Sequence, residues 1–577
     1  MDVSRLTASL KHNDPSVRRA GVRALGRLER PENASSVRPL LKDPDPLVRA
    51  AAYLALLHLK VDPGLKALLE EEQDSQVRAQ MLDALGRLDA SNEATLRRAL
   101  EASPVEKTGA LRGLEAWVRQ NRGKTLAEST LRSLSRISGE DALALNRRLA
   151  LTILLAAGKR DNVDLEISLS DEDPQVRRLA VRWLGEYRDD PSYLVRLEGL
   201  RVSEDCRRAS RLVSDPNPHV RILAVRLLAK GCDLELLEQM AGATSDPLRS
   251  AHALVALAEA SPERARSLLP ELQAHPQWRV RALVAEASVR IPDHAIRRLL
   301  LKDPHPNVVA AALLEPEEAL TALRTNDYGL LMKALGMLEG IDAGPLAVSA
   351  LKELWSRTTA HRRQTSRDPR RLILQRLSEF DPSAIEDLVP PVGEDFDPVI
   401  AAFAGRRSGR NNSYSRAKDF NRVLSRDEAR EAIRLRGARV RFRMKSGEFW
   451  LDLLAEEAPV TVLRFVQRAR KGDLDGLTFH RIEPNFVIQG ISPGANEFVG
   501  TDHYTRDELS SLSHLRGTVG ISTRGRDTGD GQIFVNLVDN YRLDHNYTIF
   551  SRVSSGMDVV DRILETDMIV SVEIFPR

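Results

Sequence analysis

The phrase Asp-Pro, a short gap, then Val-Arg recurs along this chain, and it limits the possible folds more than any other feature. It stands as Asp14-Pro15-Ser16-Val17-Arg18, as Asp45-Pro46-Leu47-Val48-Arg49, and as Asp74-Ser75-Gln76-Val77-Arg78. It returns as Asp173-Pro174-Gln175-Val176-Arg177, Asn217-Pro218-His219-Val220-Arg221 and Ser245-Asp246-Pro247-Leu248-Arg249. A further copy is His275-Pro276-Gln277-Trp278-Arg279-Val280-Arg281, and a weaker one is His305-Pro306-Asn307-Val308-Val309. Arg18 to Arg49 is 31 residues, Arg49 to Arg78 is 29, Arg221 to Arg249 is 28 and Arg249 to Arg281 is 32. Such a period belongs to a chain of stacked units.

The physics of one unit is readable. Asp14 is placed to cap a helix with its carboxylate, and Pro15 suits the first turn, where its missing N–H has no partner to lose. Behind it Val17, Ala20, Gly21, Ala24, Leu25 and Leu28 fall on one face at helical spacing. A second, shorter helix near residues 36–41 leads to the next Asp-Pro. A helix pair of this size cannot bury its own apolar face, so neighbours must stack into a solenoid. The phrases resemble HEAT repeats of the short bacterial kind over residues 1–390, which implies an all-α solenoid there. The copies are clear to about residue 90 and from 170 to 315, and degenerate at about 100–160 and 320–390. The Val-Arg arginines invite a nucleic-acid reading. With acidic residues nearly balancing basic ones, a ladder of ion pairs between neighbouring repeats is the expectation, and nucleic acid is not an expected partner.

After the solenoid the character changes. Residues 391–436 read as a basic linker with a short helix near 426–435. A second basic cluster is Arg357, Arg362, Arg363, Arg367, Arg370, Arg371 and Arg376. The plain reading is a solvated linker plus a charged helix face, and the sharper one is a docking surface for an acidic partner, anionic lipid or RNA.

Residues 437–577 turn to β. Arg439-Val440-Arg441-Phe442-Arg443-Met444 alternates polar with apolar, Lys445-Ser446-Gly447 reads as a turn, and Glu448-Phe449-Trp450-Leu451-Asp452-Leu453 as the returning strand. A helix begins near Pro459, and Phe479-His480-Arg481-Ile482-Glu483-Pro484-Asn485-Phe486-Val487-Ile488-Gln489-Gly490 follows. Later come Arg516-Gly517-Thr518-Val519-Gly520-Ile521-Ser522, Asp530-Gly531-Gln532-Ile533-Phe534-Val535, the run Leu543-Asp544-His545-Asn546-Tyr547-Thr548-Ile549-Phe550, and Gly556-Met557-Asp558-Val559-Val560. In order and wording these segments resemble a cyclophilin-type peptidyl-prolyl cis/trans isomerase across the whole segment.

The resemblance implies an all-β closed eight-stranded barrel with capping helices, so the chain as a whole is expected to be multidomain. It also implies roles. Arg481 is the expected catalytic residue, since a rigid guanidinium can donate to a proline nitrogen whose amide is twisting. Phe486, Val487, Phe534 and Leu543 are the expected apolar cup for the proline ring. Gln489 is expected to orient the substrate or Arg481, and Ser522 and Thr523 to meet the substrate backbone. His480 is not expected to act as a base, because neighbours on a strand face opposite ways and Arg481 points into the site. There are departures: Arg542 stands where animal members often carry Trp, Tyr547 replaces a His, Thr523 replaces a common Asn, and Arg524 and Arg526 follow it. The reaction asks for no cofactor and no metal.

At 577 residues the chain exceeds what one core supports. No run approaches the length of a membrane span, and MDVSRLTASLKHND lacks the apolar stretch of a signal peptide. A cytoplasmic location is therefore expected, or a periplasmic one if a leader was removed. Cys206 and Cys232, the two cysteines, are read as ordinary thiols with no disulfide framework. The functional expectation is an isomerase that assists protein folding, with proline-containing polypeptides as substrates and a protein partner on the solenoid. The alternative is a scaffold whose barrel binds such peptides with little catalysis.

Overall fold

Each clear repeat starts at its cap. Asp14 accepts from Ser16 N at the head of helix Pro15–Arg27, Asp45 from Leu47 N and Val48 N at Pro46–His58, and Asp173 from Gln175 N and Val176 N at Pro174–Leu184. In this computed structural model the described residues are 3–88, 90–159, 162–292, 295–341, 344–388, 395–407 and 424–577.

In five of the phrases the closing arginine, Arg18, Arg49, Arg78, Arg177 or Arg281, reaches forward, whereas Arg249 turns back to its own cap Asp246. Arg18 forks onto Asp43 with two bonds of 2.7 Å, Arg49 onto Glu72 at 2.8 Å, and Arg281 onto Asp303 at 2.6 and 2.9 Å. A second guanidinium nitrogen turns back to the carbonyls before its own helix, as Arg18 does to His12 O at 2.9 Å. The accepting carboxylate lies two residues ahead of the next cap and also takes its N–H, as Asp43 takes Asp45 N at 3.0 Å. Charge-assisted bonds of this kind stabilise by about 1.5–3 kcal/mol each. The expected ladder is present.

It also crosses the degenerate stretch. Ser103-Pro104 heads helix Pro104–Gln120, with Ser103 Oγ as the cap, and Lys107 takes the arginine's place 2.7 Å from Asp141. Arg78 meets Glu106 and Arg147 meets Asp171, keeping the chain of pairs unbroken there.

The chain packs as two compact units. The first comprises Met1–Ser203, Glu508–Arg516 and Val538–Ile549, and the second Glu204–Asp507, Gly517–Leu537 and Phe550–Arg577. Each joins helical repeats to segments of the β region. In the first, Arg148 lies 2.7 Å from Asp539, Arg112 donates to Ser511 O at 3.0 Å, and Tyr541 is buried in the helical core. In the second, Asn217 donates to Asp561 O at 3.0 Å, His219 Nε2 is 2.8 Å from Ile563 O, and the Gln364 side chain accepts from Tyr504 N at 2.8 Å.

The β region forms one curled sheet of eight strands: β1 (Arg439–Met444), β2 (Gly447–Leu453), β3 (Arg481–Glu483), β4 (Val487–Gly490), β5 (Thr518–Ile521), β6 (Ile533–Asn536), β7 (Ile549–Ser555) and β8 (Ile569–Phe575). Their order is β3-β4-β6-β5-β7-β2-β1-β8. The alternation read in β1 and β2 holds: Val440, Phe442, Met444, Phe449, Leu451 and Leu453 are buried, and Phe442 stacks on its cross-strand partner Phe449 at 4.8 Å. Helix Pro459–Arg470 packs Val462, Phe465 and Val466 into the same core. The expected closure is incomplete. The end strands β3 and β8 form no ladder, and among the described residues a single bridge, Thr478 to Met568, joins their approaches. β3 is three residues long, and the irregular residues before it offer no run of extended backbone to pair.

Two further expectations are corrected. Cys206 and Cys232 are not free thiols: they form a disulfide, their Cα atoms 5.3 Å apart, because stacked helices bring together residues 26 apart in the chain. The Arg357–Arg376 cluster is not a solvated face or a free docking surface. Arg370 is fully buried against Asp395 and the rings of Trp355 and Phe396, Arg367 pairs with Asp397 at 2.8 Å, and Arg363 with Asp502 at 2.7 Å. The carboxylates that neutralise it come from distant sequence. Of the basic linker, residues 391–394 and 408–423 lie outside the described residues.

Candidate active site

The register of four neighbouring strands draws the candidate residues into one row. Arg481 on β3 faces Gln489 on β4, Gln489 faces Phe534 on β6, and Phe534 faces Gly520 on β5. Residues directly opposite on antiparallel strands share a face, so Arg481, Gln489 and Phe534 share one, and Val487, two residues from Gln489, joins them. Gly520 is required here: a Cβ on it would stand 2.4 Å from Phe534 Cζ. Without that methyl the tip of the ring fits over Gly520, and Phe534 is 5% exposed. Phe486 is half-buried and its N–H donates to Glu483 O at 3.0 Å, closing a turn in which Asn485 takes φ 60°.

Arg481 is held but reachable. Its Nη1 donates to Gln489 Oε1 at 3.3 Å, its Nε is 3.4 Å from Glu483, and its side chain is 42% exposed. Gln489 Nε2 in turn donates to Gln532 Oε1 at 3.2 Å. Gln532, wholly buried, donates to Glu497 O at 3.0 Å and to Asp530 at 3.2 Å. The relay Arg481–Gln489–Gln532 fixes which way each amide points. The sequence signal for Gln532 is its place two residues before Phe534, on the same side of an alternating run.

Ser522 follows β5 and its N–H donates to Gln532 O at 2.9 Å, with half-buried Thr523 next to it. Arg524 then turns inward. It lies 2.5 Å from Asp368 and 2.9 Å from Asp530, and it also donates to Glu497 O. Burial pulls its pKa down, yet the charges of Asp530 and Asp368 outweigh that and hold it raised. Leu543 and Tyr547 belong to the first unit. Leu543 is buried at the end of the turn Tyr541–Leu543, and Tyr547 sets its ring edge-on to His514 at 6.4 Å. Arg542, just before Leu543, is exposed.

His480 precedes β3 and lines a cavity with Arg481 that holds none of Phe486, Val487, Gln489 or Phe534. Both its ring nitrogens are buried without a hydrogen-bond partner among the described residues, and burial, with the Arg481 charge, pushes its pKa down to about 4. It is neutral at pH 7. Among the described residues no group of three or more His, Cys, Asp or Glu is disposed to hold a metal.

With this geometry in hand, residues 439–573 match the family described as cyclophilin type peptidyl-prolyl cis-trans isomerase/CLD, and residues 3–86 and 163–258 match HEAT repeats. Over 149 residues the chain is 34% identical to a peptidyl-prolyl cis-trans isomerase of Helicobacter pylori, a match covering 25% of this chain and 91% of that protein. Over 137 residues it is 36% identical to the peptidyl-prolyl cis-trans isomerase ppi1 of Schizosaccharomyces pombe, covering 22% of this chain and 88% of that one. Among solved structures, a cyclophilin type peptidyl-prolyl cis-trans isomerase of Cryptosporidium parvum is similar over 24% of this chain and 98% of its own, at 20% identity and a TM-score of 0.23.

Proposed function

Because the chain belongs, through residues 439–573, to the cyclophilin-type peptidyl-prolyl cis-trans isomerases, we propose that Arg481 is its catalytic residue and that Gln489 positions it. The X-Pro amide resists rotation by ~18–20 kcal/mol because turning breaks its resonance. As the bond twists, the proline nitrogen becomes pyramidal and its lone pair can accept a hydrogen bond. Arg481 supplies a permanently charged donor for that lone pair, and it has no matching partner on the planar ground-state amide. No bond to the enzyme forms and no proton is transferred. The apolar side chains of Phe486, Val487 and Phe534 would hold the proline ring while the preceding residue turns. Ser522 and Thr523 would meet the substrate backbone.

The observation that carries this reading is the bond from Arg481 to Gln489 in register with Phe534. A preorganised donor of this kind is worth about 10²–10³ in rate. Arg481→Ala is therefore expected to lower kcat/KM on a proline-containing peptide by about that factor, measured by the rate of cis-to-trans conversion. Equal, negligible rates for both proteins would support the scaffold alternative, in which the β region only binds such peptides.

Proline-containing polypeptides are the proposed substrates, and a protein partner on the repeats is proposed with them. The pairing of the repeat arginines with carboxylates supports leaving nucleic acid out. For location, the Cys206–Cys232 disulfide supports the periplasmic or exported alternative over the cytoplasmic one, since such bonds persist in oxidising compartments.

A further inference from the structure

Beside Arg481 the second unit encloses a cavity of about 320 Å³ that the β region does not build alone. One side is β region: His480, Arg481 and Phe498. The other is helical repeat: Trp278 and Ala282 from helix Trp278–Val289, and Ala310 and Ala311 from helix Pro306–Ala312. Two observations show that this wall is a fixed part of the site. Asn307, on the second of these helices, donates to Gly494 O and Ala495 O at 3.0 Å each, binding the helix to the loop after β4. The Trp278 ring is held in place by stacking on His305 at 4.3 Å with 7° between the planes.

We infer that the HEAT repeats form part of the isomerase's substrate cleft, and that this wall receives an apolar or aromatic side chain flanking the proline in an extended polypeptide. The inference rests on the isomerase reading and names a substrate class for it. The chemistry of the lining sets that class: an indole face, alanine methyls and a phenyl ring offer dispersion contact, while the amides of Asn307 and Asn496 beside them are already bonded within the protein and Arg279 and Glu497 add charge. The cavity is at the small end of ligand pockets, which run to about 300–1,000 Å³, a size for a short stretch of chain and not for a folded partner. Its small residues matter. Larger side chains at Ala310 or Ala311 would fill the space that a substrate side chain otherwise takes.

The test uses the full chain and three peptides: a blocked X-Pro tetrapeptide, a longer unstructured peptide with Phe flanking the proline, and the same long peptide with Gly in place of Phe. About four residues on each side of the proline give a reach of roughly 14 Å at 3.3–3.6 Å per residue, enough to leave the row of β-strands. Wild type is expected to favour the Phe-flanked over the Gly-flanked peptide about tenfold in kcat/KM, about 1.4 kcal/mol. Ala310→Trp is expected to erase that preference while leaving the tetrapeptide rate within about twofold. Trp278→Ala, which opens the wall instead of filling it, should also reduce the preference. No preference in wild type, a preference that survives Ala310→Trp, or an equal loss on all three peptides would overturn the inference. Binding of the long peptides by fluorescence anisotropy keeps the two readings apart: a Phe-dependent Kd that Ala310→Trp abolishes supports the cleft even if turnover fails, and failure on the tetrapeptide alone counts against the isomerase reading.

Discussion

Arg481 owes its orientation to two glutamines, and only the first was chosen as a site residue from the sequence. Gln532 accepts from Gln489 at 3.2 Å from a wholly buried position. Gln532→Leu would keep the approximate shape of the side chain while leaving the Gln489 amide without its acceptor, a loss of about 1–3 kcal/mol. The expected outcome is a drop of about tenfold in kcat with KM little changed. A rise in KM at constant kcat would assign Gln532 to substrate binding instead. Arg542, exposed in the turn Tyr541–Leu543, leads to a second expectation. A charged, mobile side chain cannot give an apolar macrocycle the rigid surface of an indole, so cyclosporin should inhibit weakly. Nanomolar inhibition in the peptide assay would contradict this. What the sequence could not give at this scale was Arg524. In the sequence it is a departure in the loop after Thr523, whereas its ion pair with Asp368, 156 positions away, is a product of folding.

At the scale of the element, the repeat is a device in which one arginine serves two turns. It ties its own cap turn through the carbonyls and the following repeat through a carboxylate, as Arg147 does with Asp141 O at 2.7 Å and Asp171 at 2.7 Å. Both members of that pair are under a tenth exposed. Arg147→Ala would leave Asp171 nearly buried and unpaired, and breaking a buried pair costs about 3–5 kcal/mol. The midpoint of urea unfolding is expected to fall accordingly, and a change within about 0.5 kcal/mol would show the ladder to be ornamental. The stretch from 100 to 160 looked degenerate because its copies exchange the signature residues for others with the same function. Ser103 caps in place of Asp, and Lys107 pairs in place of Arg. The physics of the repeat persists there while its spelling does not.

At the scale of the molecule, four buried histidines set the acid limit. Burial pushes His480, His514 and His545 down to about 4 and His252 to about 3. Their ordinary value is 6.5, so the unfolded chain takes up protons that the fold refuses. The stability they contribute is complete above pH 6.5 and is lost as pH falls through 6.5 toward 4. Asp507 and Asp544, pushed up to about 6 by burial, act in the opposite sense: their contribution is complete below the ordinary 3.8 and is lost as pH rises through 6. Asp327, Asp530 and Asp567 are raised in the same way, but His219 and His305 are lowered with the other histidines, and the ion-paired Asp43, Glu72, Asp83 and Asp303 are held low and lose their contribution as pH falls, so the balance is loss of stability on acidification. The melting temperature is expected to fall between pH 7 and pH 4.5 at fixed ionic strength, and a flat or rising profile would refute this. The rate on a short peptide should hold from pH 9 to 6 and decline near pH 4, where His480 gains a charge beside Arg481.

The sequence by itself determined the parts whose information is local. Helical repeats follow from the Asp-Pro cap and the 3.6-residue apolar period, paired strands from period-two alternation, and the row Arg481, Gln489, Phe534 from motifs read in order. Only the tertiary structure decided the joints. That Cys206 meets Cys232, that Arg370 is buried between two aromatic rings, that the sheet stops short of closing and that alanines of the repeats line a cavity with Arg481 all depend on residues far apart in the chain. Such contacts form only after whole elements have packed, and the order of residues along one segment carries no record of which distant surface it will meet. The expected isomerase was legible in its strands, and its helical wall was not.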